Sequence, residues 1–333
     1  MATYKEIHGT SIEVLASDPS NPVLGQIWYN TTSQSLKGVE FGAESWSTGG
    51  NLPVAKSYVA GCGTQTAALG FGGYIYTPPG STVATSEEYN GTAWTAGGNM
   101  GTARRRLGGA GTQTAGLAFG GLGALPPTRV LTEEYDGSSW TAGGDLTTGS
   151  IAMGNAGTQT AGLAFGGSPP SGPPYTTALT QEYDGSSWTN GGALPTATSG
   201  PAGAGTQTAG LGFGGYNTTF AVQTYEYNGT AWTGGGNLNT GTNNQGGTGT
   251  QTSALSFGGT VYGGGRTAQT EKYDGSSWTV TANMSTLRSN RPGGAGDTSA
   301  GLAWAGRTPA GDTTTATEEF NPAAPTTVTI SGS

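Results

Sequence analysis

The chain has 333 residues, among them 64 Gly and 17 Pro, with 33% hydrophobic and 10% charged side chains and a net charge of −8. That acidity argues against nucleic acid or an anionic membrane surface as a partner, because both need clustered cations. No stretch reaches the roughly 18 apolar residues of a membrane span, and the one cysteine, Cys62, cannot form an internal disulfide and reads as a small packed residue.

In chain order, the opening MATYKEIHGTSIEVLASDP lacks the basic stretch and apolar run of a signal peptide. DPSNP, from Asp18, predicts a turn, and GQIWYNTTSQSLKG predicts a β-hairpin whose loop is Asn30 to Ser33. Residues 1–37 therefore read as a module of their own. From there a repeat takes over. GTQTA begins at Gly63, Gly111, Gly157 and Gly205, appears as GTQTS at Gly249, and has drifted to GDTSA at Gly296. Each copy runs into an apolar strand closing on small residues, LGFGG, LAFGG or LSFGG or, last, LAWAG. Each of the first five is followed by a second signature, EYNGTAW, EYDGSSW or KYDGSSW, ending at Trp94, Trp140, Trp188, Trp232 and Trp278. The tryptophans recur every 44 to 48 residues, the period of a propeller blade.

Within one unit, four short strands are predicted over Leu107 to Gln113, Thr114 to Gly121, Val130 to Tyr135 and Ser139 to Ala142. The Asn-Gly or Asp-Gly pair before the last strand predicts a type I′ hairpin, with φ > 0 at both central residues. Sheets repeated radially bury both faces against their neighbours, which accounts for the crowd of Gly, Ala and Thr, while the Trp and Tyr supply the larger packing pieces.

Apolar strand, Gly-Gly, variable loop, acidic-Tyr-Asp turn, then Trp: this order resembles the kelch repeat over residues 39 to 320, with more glycine and threonine than that family carries. The resemblance implies an all-β, six-bladed β-propeller of four-stranded antiparallel blades. VEFGAESW, ending at Trp46, aligns with EEYNGTAW, whereas the last unit ends in TEEF at Phe320 with no Trp. The amino-terminal strand is therefore expected to complete the sixth blade, with Phe41 and Phe320 both open as its third strand. The organisation expected is a module at 1–37, a propeller at 38–320 and a separate tail at 321–333. Residues 1–37 also resemble a short module near the amino termini of bacteriophage tail-fibre and other virion proteins.

Chemistry is hard to place on this scaffold. Glu88, Glu134, Glu182, Glu226 and Glu319 recur by blade and so sit in like environments, whereas a catalytic carboxylate pair needs unlike ones. YDGSSW differs from the sialidase Asp box, where a residue separates Asp from Gly. His8 is the one histidine, so a histidine-based metal site or triad is excluded. No catalytic residue, metal ligand or cofactor is expected, and the protein is read as not an enzyme. What varies are the second-to-third-strand loops, which share a face opposite the uniform GTQT and DGSS turns. Loops on a rigid scaffold are where recognition sits. The candidate binding residues there are Tyr74, Tyr76, Tyr175, Tyr216, Phe220, Tyr262 and Arg266, with the basic run Arg104, Arg105 and Arg106. Those arginines read either as a solvated face or as a grip on an acidic glycan or phosphate. The sequence thus suggests a non-catalytic virion or tail-associated protein, held to other assembly proteins through residues 1–37 and binding a host-surface glycan or protein. A homo-oligomer fits that reading, nucleic acid and membrane insertion do not, and the location implied is a virion or extracellular assembly. The alternatives are a decoration protein without a receptor and, third, a glycan-active enzyme.

Overall fold

The computed structural model describes residues 12–77, 79–124, 128–170 and 175–330, so His8 and residues 78, 125–127 and 171–174 of three variable loops lie outside it. The chain forms two units, residues 1–44 with 322–333, and residues 45–321.

The first unit is a four-stranded sheet, in the order Glu13–Leu15, Ile27–Asn30, Ser35–Phe41, Pro325–Thr329. The expected hairpin forms, and its turn follows from Asn30, whose Oδ1 accepts the Thr32 and Ser33 amides at 3.0 Å. Asp18 organises the sheet by accepting from the Trp28 indole (3.0 Å), the Asn30 amide (2.7 Å) and the Lys37 ammonium (2.9 Å). The Lys37 hydrogen bond, then that of Asn30, holds its carboxyl below the usual range. Two expected boundaries are corrected here. The module runs past residue 37, and the tail is part of it, with Val39 opposite Thr327 and Phe41 opposite Pro325. The β-prone run TTVT needs a strand partner for its backbone, and the free edge of Ser35–Phe41 supplies one. Phe41 is accordingly outside the propeller and exposed.

Among the described residues, the second unit holds six four-stranded antiparallel sheets. One consists of Gly108–Thr112, Ala115–Phe119, Thr132–Tyr135 and Trp140–Ala142, within two residues of the sequence expectation. In the last, Thr317–Asn321 is the third strand and Ser45–Thr48 the fourth, with Phe320 opposite Trp46. The first strands contact one another in succession, and Gly293–Gly296 of the last sheet lies against Ala60–Thr64 of the first. Their glycines permit this approach: a Cβ on Gly203 would lie 2.3 Å from the Asn155 carbonyl of the preceding blade.

The turn before each Trp is not type I′. It is a four-residue loop, Asp136 to Ser139 between Tyr135 and Trp140, and of the Asp-Gly pair only Gly137 has positive φ, +91°. Asp136 Oδ1 accepts the Ser138 and Ser139 amides at 2.8 Å, so the side chain caps a wider turn and its own backbone stays in the ordinary region. The Ser138 hydroxyl first, then the Ser139 amide, lowers that carboxyl to about 2.

The repeated residues join one blade to the next. The Gln of GTQT donates to two carbonyls of the preceding blade, as Gln113 does to Ala68 (3.1 Å) and Tyr89 (2.7 Å). The Tyr of EYD donates to the preceding blade's Glu: Tyr135 to Glu88 (2.5 Å), Tyr183 to Glu134 (2.5 Å), Tyr227 to Glu182, Tyr273 to Glu226 (2.6 Å) and Tyr89 to Glu319 (2.6 Å). The Trp packs at a tilt against the preceding blade's second-strand aromatic, and its indole donates to a third-strand hydroxyl, as Trp188 does to Phe119 (4.9 Å) and Thr132 (2.9 Å). The recurrent carboxylates are thus structural. Between the fifth and sixth blades, Lys272 stands in place of Glu, Phe320 of Tyr and Thr298 of Gln. There the Ser253 and Thr298 hydroxyls bond at 2.5 Å, and Trp46 donates to Thr270 (3.1 Å).

Burial first, and the facing Glu second, pushes Tyr135, Tyr183 and Tyr273 up to about 12, and Tyr89 and Tyr227 likewise. An unfolded tyrosine ionises near 10. The stability these phenols contribute is therefore fully present below pH 10 and is lost as pH rises through about 12. The melting temperature should hold steady up to pH 10 and fall steeply over the next two units. Flat melting through pH 12, followed by circular dichroism, would count against the Tyr–Glu bonds.

Candidate binding site

Five residues before the glycine that opens each GTQT or GDTS stands one residue per blade in the left-handed region: Tyr58 (φ 56°), Arg106 (56°), Ala152 (54°), Gly200 (68°), Asn244 (56°) and Arg291 (56°). Backbone bonds link them around the axis. The Arg106 amide donates to the Tyr58 carbonyl (3.0 Å), Ala152 to Arg106 (2.8 Å), Gly200 to Ala152 (2.9 Å) and Arg291 to Asn244 (2.9 Å), while Tyr58 donates to Asn290 (2.7 Å). Non-glycine residues in this conformation cost roughly 1–2 kcal/mol each and persist only where the surroundings fix them. Here these hydrogen bonds do so, and Arg106 lies within electrostatic reach of Arg291.

Arg106 stacks over the Tyr58 ring (4.4 Å) and donates to its hydroxyl (3.1 Å). The Tyr58 phenol lies near enough to that of Tyr76 to help raise its pKa, after burial. Tyr76 carries Arg307 over its face (4.4 Å) and meets Tyr74 edge-on (4.8 Å), and Tyr74 lies under Arg105 (4.5 Å). Four of the chain's eight arginines and three tyrosines thus form one connected cluster. Arg291 is buried, reaches across to the Met153 carbonyl of the third blade (2.6 Å), and leaves Nη1 with no hydrogen-bond partner among the described residues. Burial, then Arg106, lowers it to about 10, still charged at neutral pH. It lines a cavity of about 40 Å³ with Gln245, whose Oε1 is likewise unpartnered.

Of the expected binding residues, Tyr74, Tyr76, Arg105 and Arg106 fall in this cluster. Arg104 does not, and its placement on a displayed face is corrected. It is wholly buried, donating to Glu133 (2.9 Å) and to the carbonyls of Gly120 (2.8 Å) and Leu131 (2.7 Å). The backbone turns at Arg106 (φ 56°) and is not a regular strand here, so adjacency in sequence does not make a common face. Tyr175 and Tyr262 are strongly exposed, Tyr216 packs its exposed ring on Phe220 (6.1 Å), and Arg266 donates to Ser289 (3.1 Å). No ring or charge contact joins these five to the cluster among the described residues. Sequence reasoning missed Tyr58, Arg291 and the site role of Arg307. The signal for the first two was one column of the repeat that reads Tyr, Arg, Ala, Gly, Asn, Arg beside near-uniform neighbours.

Among the described residues, no three or more His, Cys, Asp or Glu side chains gather as a metal site would require. Cys62 is buried with its Sγ 3.3 Å from the Thr112 carbonyl, and burial pushes the thiol up to about 12. That leaves it a poor nucleophile.

No family model matches the sequence, and no curated protein matches it. Many solved structures do. One is YjhT, aligned with a TM-score of 0.67 at 13% identity over 84% of this chain and 99% of that one. At that identity the likeness speaks for the fold alone: the chain is an all-β protein with a β-propeller fold.

Proposed function

We propose that the propeller is a non-catalytic recognition module of a virion or tail-associated protein, binding a host-surface glycan or protein by its variable-loop face. In this reading the unit formed by residues 1–44 and 322–333 attaches it to other assembly proteins. One observation carries the proposal: the uniform turns are occupied in hydrogen-bonding the backbone of the preceding blade, through Gln113 and its equivalents, while on the variable side arginines and tyrosines of different blades, Arg105 on Tyr74, Arg106 on Tyr58 and Arg307 on Tyr76, gather into one cluster. Tyrosine gives contact area at low entropic cost, and exposed Tyr175, Tyr216 and Tyr262 add to it.

Exchanging Ser168–Ala178 for the shorter Tyr216–Val222 loop, and separately Tyr74–Thr85, should reduce adsorption to host cells about tenfold or more at unchanged melting temperature. Adsorption that survives both exchanges, while changes at Thr112 or Thr158 abolish it without unfolding, places recognition on the other face.

A further inference from the structure

The buried cations of this propeller divide into two kinds. Lys56, Arg104 and Arg288 are each paired with their own carboxylate, Glu87, Glu133 and Glu318. Arg291 is as deeply placed, yet no carboxylate of a described residue pairs with it or with Arg106 beside it. An isolated buried charge is expensive, and a like charge within electrostatic reach makes it more so. The cavity beside Arg291 has no acidic lining residue, so the buried guanidinium faces it without a counter-charge. Its roughly 40 Å³ exceeds the ~10–15 Å³ that one water requires and suits a carboxylate, not a sugar ring. A ring would stay at the half-buried rim, beside Tyr74, Tyr76, Arg105 and Arg307.

We propose that this channel mouth is an oxyanion site, in which Arg291 and Arg106 hold the carboxylate of an acidic saccharide whose ring rests on the tyrosine cluster. The inference rests on the recognition reading above and narrows its ligand from any glycan to an acidic one. Guanidinium groups bind carboxylates through charge-assisted hydrogen bonds, and the tyrosines present ring faces and hydroxyls to the remainder of the sugar. The left-handed ring supplies preorganisation, since both arginines are held in place by backbone bonds independent of any ligand.

Isothermal titration calorimetry of the full chain with sodium galacturonate, galactose, sodium acetate and sodium sulfate, at one ionic strength, tests the site. Galacturonate should bind, galactose should not, and acetate and sulfate should bind about tenfold more weakly or less. Arg106→Gln, at the half-buried rim, should weaken galacturonate about tenfold or more, the loss of one charge-assisted contact. Arg129→Gln, outside the cluster, should leave it unchanged. Arg291→Lys should also weaken binding, and if that variant fails to fold, Arg106→Gln carries the test. Absence of galacturonate binding, full affinity in Arg106→Gln, or a heat signature of solvent exchange only overturns the proposal. So does acetate or sulfate binding as tightly as galacturonate, which leaves a simple anion site. Galacturonate binding with adsorption untouched by the loop exchanges sinks the recognition reading and spares this site. Adsorption lost in those exchanges without any galacturonate binding does the reverse.

Discussion

Replacing Arg104 by Ala should destabilise the propeller by about 3–5 kcal/mol, although three adjacent arginines look like a surface run. The guanidinium is wholly buried, with Nη2 on Glu133 and Nη1 shared between the carbonyls of Gly120 and Leu131. Truncation leaves the Glu133 carboxylate, itself buried, without its counter-charge and takes a donor from the Gly120 and Leu131 carbonyls, the second of which keeps the Gly120 amide. The cost is that of an orphaned charge and not the net worth of the pair. The double variant Arg104→Met, Glu133→Leu should therefore recover most of it. Urea unfolding of the two variants measures both. A double variant as unstable as the single one would mean that packing, not charge, fixes this position. Arg105→Ala, half-buried and stacked on Tyr74, is the contrasting control and should cost well under half as much.

Trp188→Ala should cost about 3–5 kcal/mol as well, for a different reason. The indole fills the seam between two blades, 4.9 Å from Phe119 and 5.0 Å from Tyr183, with Nε1 on the Thr132 hydroxyl. Removing it opens a cavity on an interface whose sheets, held by glycine-lined first strands around the axis, cannot slide together to fill it. Trp140 occupies the same position in its own blade but is only half-buried, so Trp140→Ala should cost measurably less. Equal losses at the two sites would show that the equilibrium does not follow burial. Both variants are read by denaturant unfolding with a shared m-value.

Much of the architecture was legible because the repeat is nearly literal. Six GTQT-type segments imply six second strands, and the orphan Trp46 and Phe320 imply that the two meet. They do, in register. The sequence alone left Phe41 and Phe320 as rivals for one strand, since both follow acidic residues. Pairing separates them: Phe320 is buried opposite Trp46, whereas Phe41 continues the edge that the tail strand needs. The Asp-Gly turn was misjudged for a local reason. The same dipeptide serves a type I′ turn or a side-chain-capped loop, and the amides that Ser138 and Ser139 offer Asp136 select the second.

The candidate site was half visible. Arg105, Arg106, Tyr74 and Tyr76 stood out by type and by loop position. Arg104 stood out equally and went the other way, because its guanidinium meets the buried Glu133 of its own blade while Arg105 and Arg106 stack on Tyr74 and Tyr58. Arg291 lies 185 positions beyond Arg106 in the chain, and only the closing of the ring brings the two together. The sequence by itself determined the period, the strand order within each blade and the kinds of residue at every seam, since these depend on contacts that repeat with the chain. Tertiary structure alone decided which cations are paired and buried and which gather unpaired at the axis, because that depends on meetings between blades that no local pattern encodes.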